Sequence, residues 1–460
     1  MELPFAEPYK IKMIEPIRRS SREERERWIK DARYNLFNLR SDQVYIDLLT
    51  DSGTSAMSAA QWGAIMLGDE SYAGASSYYK LKEAIFELTG FPFFLPTHQG
   101  RAAENVLFSA LVKEGDLVPG NAHFDTTKGH IEFRKATAVD CTIDEAWDIN
   151  LSHPFKGNVD LVKLKKALDE HPVSKIPMVI ITVTCNTAGG QPIAMENLKA
   201  VHTLASAKGI PVIIDGARFA ENAYFIKTRE KGYEHKTIRE IALEMFSYAE
   251  GMTMSSKKDA LVNIGGFIGF RNEEMFRKAT TFNIMFEGFI TYGGMAGRDM
   301  NALAQGLYEG TEFDYLESRI RQVEYLGTRL KSMNIPVQYP IGGHAVFIDA
   351  AKFLPNVPRK EYVAQTLAVE LYIEGGIRGA EIGTLMADRD PVTREDRFPN
   401  LELLRLAIPR RVYTQNHMDY VAAAFENLHA RKDKIKRGFR IAWEAPIMRH
   451  FTVSLEKLQP

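Results

Sequence analysis

Residues 160–215 alternate helix and strand so regularly that few architectures can accept them. Helical periodicity over 161–170 is followed by an apolar, β-branched run at 178–184, a second helix at 195–208 closed by Gly209, and another buried strand at 211–214. Strands joined through a helix run parallel, and a parallel sheet needs helices covering both faces. An α/β domain with a mostly parallel sheet between helices follows.

Ligands of open α/β sheets bind at the carboxyl ends of the strands. Asp215 ends one such strand, Arg218 follows three residues later, and Asn186 ends the strand before it. Further on, 251–266 reads GMTMSSKKDALVNIGG: a strand-like segment at 252–254, then Ser255, Ser256, Lys257 and Lys258 before Asp259. A lysine among hydroxyls and beside a second cation has its ammonium form disfavoured, as a Schiff-base lysine requires. A solvated basic turn has the same composition. Asp215 is open to two readings as well, a helix cap or the partner of a protonated pyridine nitrogen. The second reading needs a phosphate cradle. The turn Thr97-His98-Gln99-Gly100-Arg101 entering a helix supplies unpaired N–H groups, a favourable dipole end and a guanidinium fork.

Other polar positions interrupt apolar runs. Thr50, Asp51, Ser52, Gly53 and Thr54 break a strand-like VYIDLL, Tyr72 lies in the glycine-rich GDESYAG, and Phe124 and Asp125 lie in NAHFDTTKGH. Phe124 can stack on a flat ring or fill a core, and Asp125 can accept a hydrogen bond or sit in a solvated turn. Arg405 lies inside LLRLAIP, where a buried guanidinium needs an anion, either a substrate carboxylate or a structural partner.

The 460 residues exceed one small core. The expected division is 1–45 as an N-terminal arm and part of a small domain, 46–330 as the large domain, and 331–460 as a small α+β domain. A charged helix from Ser21, with Glu24 at capping-box spacing, follows the extended arm of 1–19. A long helical pattern over 299–333, breaking near Gly310, links the two domains. The closing MRHFTVSL reads as a strand. A net charge of −1 offers no electrostatic reason for nucleic acid or membrane binding. Cys141 and Cys185 form no CxxC pair, which argues against disulfide or zinc scaffolding. Without a signal-peptide core or a long apolar run, a cytoplasmic protein is expected.

In this order, and over nearly the whole chain, the stretches IDLLTDSGT, GDESYAG, PTHQGR, NTAGGQP, DGARFAENAYFIK, SSKKDALVNIGG, YGGMAGRDM, GGHAVF, RLAIPRRVYT and RHFT resemble the β-eliminating lyases of the fold-type-I pyridoxal phosphate enzymes. The resemblance implies a transferase-like large domain with a mostly parallel seven-stranded sheet and a smaller α+β domain. It makes Lys258 the Schiff-base lysine with Lys257 beside it toward the phosphate, and it pairs Asp215 with the pyridine nitrogen. Asn186 and Arg218 then face the ring oxygen, Phe124 stacks on the ring, and Gln99, Gly100, Arg101 and Ser255 surround the phosphate. Arg405, with Thr50 and Ser52, receives the substrate carboxylate. A monovalent cation, usually potassium, is implied at the carbonyls of Gly53 and Asn263 and the side chain of Glu70. A homotetramer, a dimer of dimers, is implied too, with Tyr72 supplied by a neighbouring subunit to assist protonation of the leaving ring.

Tyrosine-cleaving members of this family carry threonine in place of Asp125, arginine in place of Ile382 and phenylalanine in place of His450. At all three positions this chain is similar to the tryptophan-cleaving members. A phenol hydroxyl calls for an arginine and a hydroxyl; an indole N–H calls for an acceptor such as Asp125 within an apolar wall. The expected reaction is elimination of indole from L-tryptophan, leaving pyruvate and ammonia. Phenol release from tyrosine is the alternative, and a pyridoxal phosphate-binding regulator is a remote one, since no basic recognition helix is present. Gly216, Ser256 and His123 depart from the commoner family pattern.

Overall fold

Seven strands form the central sheet: β1 Phe93–Thr97, β2 Leu117–Gly120, β3 Thr137–Asp140, β4 Val179–Thr182, β5 Val212–Asp215, β6 Gly251–Ser255 and β7 Gly266–Phe270. Their spatial order is β1-β7-β6-β5-β4-β2-β3. Every neighbouring pair is parallel except those of β7, which runs against both β1 and β6. The short connection from β6 to β7 has no room for a crossover helix, so the chain turns straight back. The computed structural model describes residues 5–390 and 392–459.

The alternation in this sheet shows why the strands are so apolar. Val179, Ile181, Val212 and Ile214 enter one core cluster, while Ile180 and Ile213 enter another. Successive side chains point to opposite faces and both faces are covered. Thr182 pairs with Asp215 and Asp215 with Thr253, so β4 and β5 end level while β6 runs two residues further along the same rim.

The chain divides into two compact units, one made of Ser52–Ala146 and His153–Ile320, the other of residues up to Asp51, Trp147–Ser152 and residues from Arg321 onward. The sheet lies in the first. The second holds an antiparallel sheet in the order Ala380–Ile382, Leu403–Ala407, Ala345–Asp349, packed on the buried helix Val363–Gly375. Ser21 and Glu24 form the expected capping box before helix Arg22–Asp31. The long helical pattern is two helices, Gly297–Gly310 and Phe313–Ser332, broken where expected.

Two local expectations are corrected. VYIDLL contributes only a two-residue strand, Ile46–Asp47, paired with Ile377–Arg378. MRHFTVSL is a 3-10 turn, Arg449–Phe451, followed by strand Ser454–Lys457. The cause is Arg449, which is fully buried and donates to Asp396, Glu444 and the carbonyls of Thr384 and Leu385. A buried guanidinium must satisfy its donors, and the backbone turns to let it. No helix among the described residues is long and apolar enough to cross a membrane.

Candidate active site

The rim of the parallel sheet assembles around three backbone approaches. Helix Gly100–Leu111 starts two residues after β1 with no side-chain cap, and its positive dipole end favours an anion. It can lie against the end of β6 only because residue 100 is glycine: a Cβ there would stand 2.4 Å from the Ser255 Cβ. Gln99 bridges Gly265, and the Gly265 N–H donates to the His98 carbonyl at 2.8 Å, which fastens the phosphate-type turn to the lysine turn. From the other side, Gly306 and Gly310 of helix Gly297–Gly310 receive the carbonyls of Ala260 and Asp259, each 1.9 Å from where a Cβ would sit. These glycines lie one turn apart on a single helix face.

The side chains follow from this backbone. Lys258 Nζ donates to Ser255 Oγ at 2.9 Å, and Lys257 Nζ points to Gln99 Oε1 at 3.4 Å. The two lysines are thereby separated, one toward the strand end and one toward the anion turn. Burial, and then the Arg101 cation, lower the Lys257 pKa. Asp259 accepts the Ala220 and Glu221 N–H groups at 2.8 and 3.1 Å and so caps the start of helix Phe219–Arg229. That cap joins the lysine turn to the Asp215–Arg218 loop. Burial raises the Asp215 pKa, while Lys258, the Ala217 N–H and Arg218 oppose the rise. A carboxylate so placed is completed by a further cation. Asn186 and Arg218 are both buried, and the Arg218 N–H donates to the Val183 carbonyl at 3.1 Å. Phe124 occupies the N-cap position of helix Asp125–Phe133, and Asp125 Oδ1 accepts the Thr126 N–H at 2.7 Å. An anion turn, two lysines, a partly exposed aromatic ring and a carboxylate with raised pKa fit a phosphorylated, cationic heteroaromatic aldehyde.

Gly53 and Asn263 come together: the Gly53 N–H donates to the Lys257 carbonyl at 2.8 Å, and Asn263 Nδ2 donates to the carbonyls of Gly53 and Ser55, both at 3.0 Å. Gly53 has φ +74°, and a Cβ there would meet the Asn263 carbonyl at 3.1 Å. Glu70 accepts from Gly297 N and from Arg298 at the start of helix Gly297–Gly310. Among the described residues no hydrogen bond joins it to the Gly53 and Asn263 pair. Tyr72 is 72% exposed and packs on Phe289 and Tyr292, 5.9 and 5.1 Å between ring centroids.

In the other unit, Arg405 is buried in the middle strand and donates to the Leu49 carbonyl at 3.1 Å. Thr50 follows in the same unit, whereas Ser52 begins the sheet-bearing one. Ile382 joins Ala345, Phe347, Leu403 and Ala407 in an apolar cluster. His450 lies against Phe451, 4.0 Å between centroids. Arg449 bonds the carbonyls of Thr384 and Leu385, which brings the His450 turn to the segment that follows Ile382.

At the departures from the common pattern, His123 donates through N–H and Nδ1 to Asp140 Oδ1, at 2.8 and 2.6 Å, while Ser256 is fully buried. At Gly216 a Cβ would meet the end of Met252 at 2.9 Å. Two further features went unread in the sequence. Glu104 is buried beside Thr126 and Thr127, and Arg410 forms a buried pair with Asp51 at 2.9 Å. Glu104 is the one acid within the apolar AAENVLF, four residues after Gly100, and that spacing was its available signal.

A family model described as beta-eliminating lyase matches residues 47–424. A probable beta-eliminating lyase of Trichomonas vaginalis is 66% identical over 459 residues, covering 100% of both chains. A tyrosine phenol-lyase of Symbiobacterium thermophilum is 52% identical, again covering 100% of both, and a tryptophanase of Hyphomonas neptunium is 53% identical over 98% of this chain and 99% of the relative. Among solved structures, a serine palmitoyltransferase of Sphingomonas wittichii superposes with a TM-score of 0.55 at 14% identity, covering 85% of this chain and 88% of the other.

Proposed function

This chain belongs to the beta-eliminating lyase family and has the fold-type-I architecture, and from that premise we propose that it is a pyridoxal phosphate-dependent lyase that releases indole from L-tryptophan, with pyruvate and ammonia as the other products. The observation that carries the choice of substrate is the environment of Ile382. It packs in an aliphatic and aromatic cluster, and so offers no cation to a phenol oxygen. Asp125, partly exposed at a helix start, offers an acceptor to an indole N–H. Relatives of both names are about equally similar, so these positions and not overall identity favour tryptophan.

In this reading Lys258 holds the cofactor aldehyde, with Gln99, Gly100, Arg101, Ser255 and Lys257 around the phosphate. Phe124 lies on the ring face, and Asn186 and Arg218 are at the ring oxygen. The bound cofactor supplies an electron sink for the bond that breaks at Cα. Asp215 keeps a proton on the ring nitrogen. Arg405, with Thr50 and Ser52, binds the α-carboxylate, and Lys258 takes the α-proton. Asp125 and His450 orient the indole, while Tyr72 of a second copy delivers a proton to the ring carbon that leaves. Gly53, Asn263 and Glu70 are the oxygen donors for a monovalent cation. The assembly is a cytoplasmic homotetramer; light scattering of a fully active monomer would contradict it.

The deciding experiment gives the purified protein pyridoxal phosphate, potassium and either L-tryptophan or L-tyrosine. Indole in step with pyruvate, with little phenol, is the expected result. Phenol in excess would transfer the assignment to the tyrosine-cleaving reaction.

A further inference from the structure

The roles assigned so far leave one buried acid beside the site unexplained. Glu104 stands one turn into helix Gly100–Leu111, on the face that Gly100 turns toward Ser255. Its Oε2 accepts from Thr126 Oγ1 at 2.6 Å, and its Oε1 accepts from Thr127 Oγ1. Glu104, Thr126 and Thr127 are all buried. The two threonines open helix Asp125–Phe133, which has Phe124 at its N-cap and no side-chain cap of its own. One carboxyl thus bridges the helix that begins at the anion turn and the helix that presents Phe124 and Asp125.

We propose that Glu104 is a positioning residue for the elimination: by clamping Thr126 and Thr127 it holds Phe124 and Asp125 at a set distance from the phosphate turn on its own helix. The proposal rests on the site reading given under Proposed function and adds a member to it. Hydroxyls buried without an acceptor would be costly, so the clamp is not readily exchanged for water.

The clamp is also titratable. Burial, and then the Asp215 charge, push the Glu104 carboxyl up to about 7, with Asp125 adding to the rise and the two threonine hydroxyls opposing it. Asp215 faces it from the end of β5 and Asp125 from the clamped helix; His130, further along that helix, interacts instead with Arg101 and Arg134. Above that pH the carboxylate accepts from both hydroxyls. Below it the acid keeps one proton that must be given to a neighbour, and one of the two threonine contacts is changed. Because the folded value lies above that of a free carboxyl, ionisation costs stability. The protein loses this contribution as pH rises through neutrality and keeps it in acid.

The test compares the holoenzyme with Glu104→Gln and Glu104→Ala. Visible circular dichroism of the bound cofactor, titrated across neutrality, is expected to show a step in the parent that is absent in Glu104→Gln. With Glu104→Ala, kcat/KM for tryptophan is expected to fall roughly 100-fold, the cost of misplacing a reacting group by about an ångström. S-ethylcysteine, whose leaving group does not need Asp125, should suffer less. A dichroism step of the same midpoint in Glu104→Gln, no step in the parent, or equal losses on both substrates would overturn the proposal. If the parent releases phenol instead of indole, the substrate reading fails, and the dichroism titration still decides the role of Glu104.

Discussion

Replacing Lys258 by alanine is expected to abolish turnover and to remove the visible absorption of bound pyridoxal phosphate, while Lys257→Ala weakens cofactor retention and leaves that absorption in place. The two neighbours differ in what they face. Lys258 Nζ rests on Ser255 Oγ at the end of β6, and its charge is felt by Asp215. Lys257 Nζ is directed to Gln99, on the anion turn. Only the first is placed between a strand-end hydroxyl and the carboxylate expected to pair with the ring nitrogen. In the proposed role Lys258 is both the covalent anchor and the base for the α-proton, so activity should fall below detection. Absorbance spectra and pyruvate release measured on both variants check this. Normal absorption in Lys258→Ala, with its loss in Lys257→Ala, would exchange the two roles.

Asp215→Asn is expected to lower kcat/KM by roughly 100- to 1,000-fold, the scale seen when one preorganised electrostatic partner of a reacting group is removed. The variant should still fold, because an amide of the same shape can accept the Ala217 N–H that Asp215 Oδ1 accepts at 3.1 Å. What it lacks is the charge that keeps a proton on the ring nitrogen. Activity should also depend on pH. Burial raises the Asp215 pKa against the opposing Lys258 and Arg218 cations, so acid neutralises Asp215 earlier than it would a free carboxyl. Activity should therefore decline on the acid side in the parent, and this limb should be missing from the low residual rate of Asp215→Asn. Rate profiles of both proteins against pH are the check. A variant within a few fold of the parent would remove Asp215 from the mechanism.

The strand-helix alternation ending at Asp215 was legible because it depends on local periodicity. Helix Leu161–Glu170 lies where that periodicity puts it, and strand Val212–Asp215 within a residue of it. The SSKKD segment was legible as a polar turn at a strand end, but not as chemistry, since a solvated basic turn has the same composition. The division of roles proposed for Lys257 and Lys258 was not visible in their order alone and came in with the resemblance. It is the Ser255 and Gln99 contacts that separate them. The misreading of MRHFTVSL has a nonlocal cause. In MRHFTVSL the pattern is that of a strand, but Arg449 gathers acceptors from Asp396, Glu444 and two distant carbonyls, and that requirement overrides local preference.

By itself the chain's sequence determined the parallel α/β sheet, the rim on which Asp215 and the lysine pair fall, and the break between helices Gly297–Gly310 and Phe313–Ser332, because these follow from periodicity and from residue chemistry over a few turns. Tertiary structure alone decided that Gly100, Gly306 and Gly310 are contact points for the backbone of the lysine turn. It alone decided that Asp259 caps the helix after Arg218 and that Glu104 ties two helices through Thr126 and Thr127. Those relations join residues far apart in the chain, and they depend on which buried donor meets which acceptor once the layers have packed.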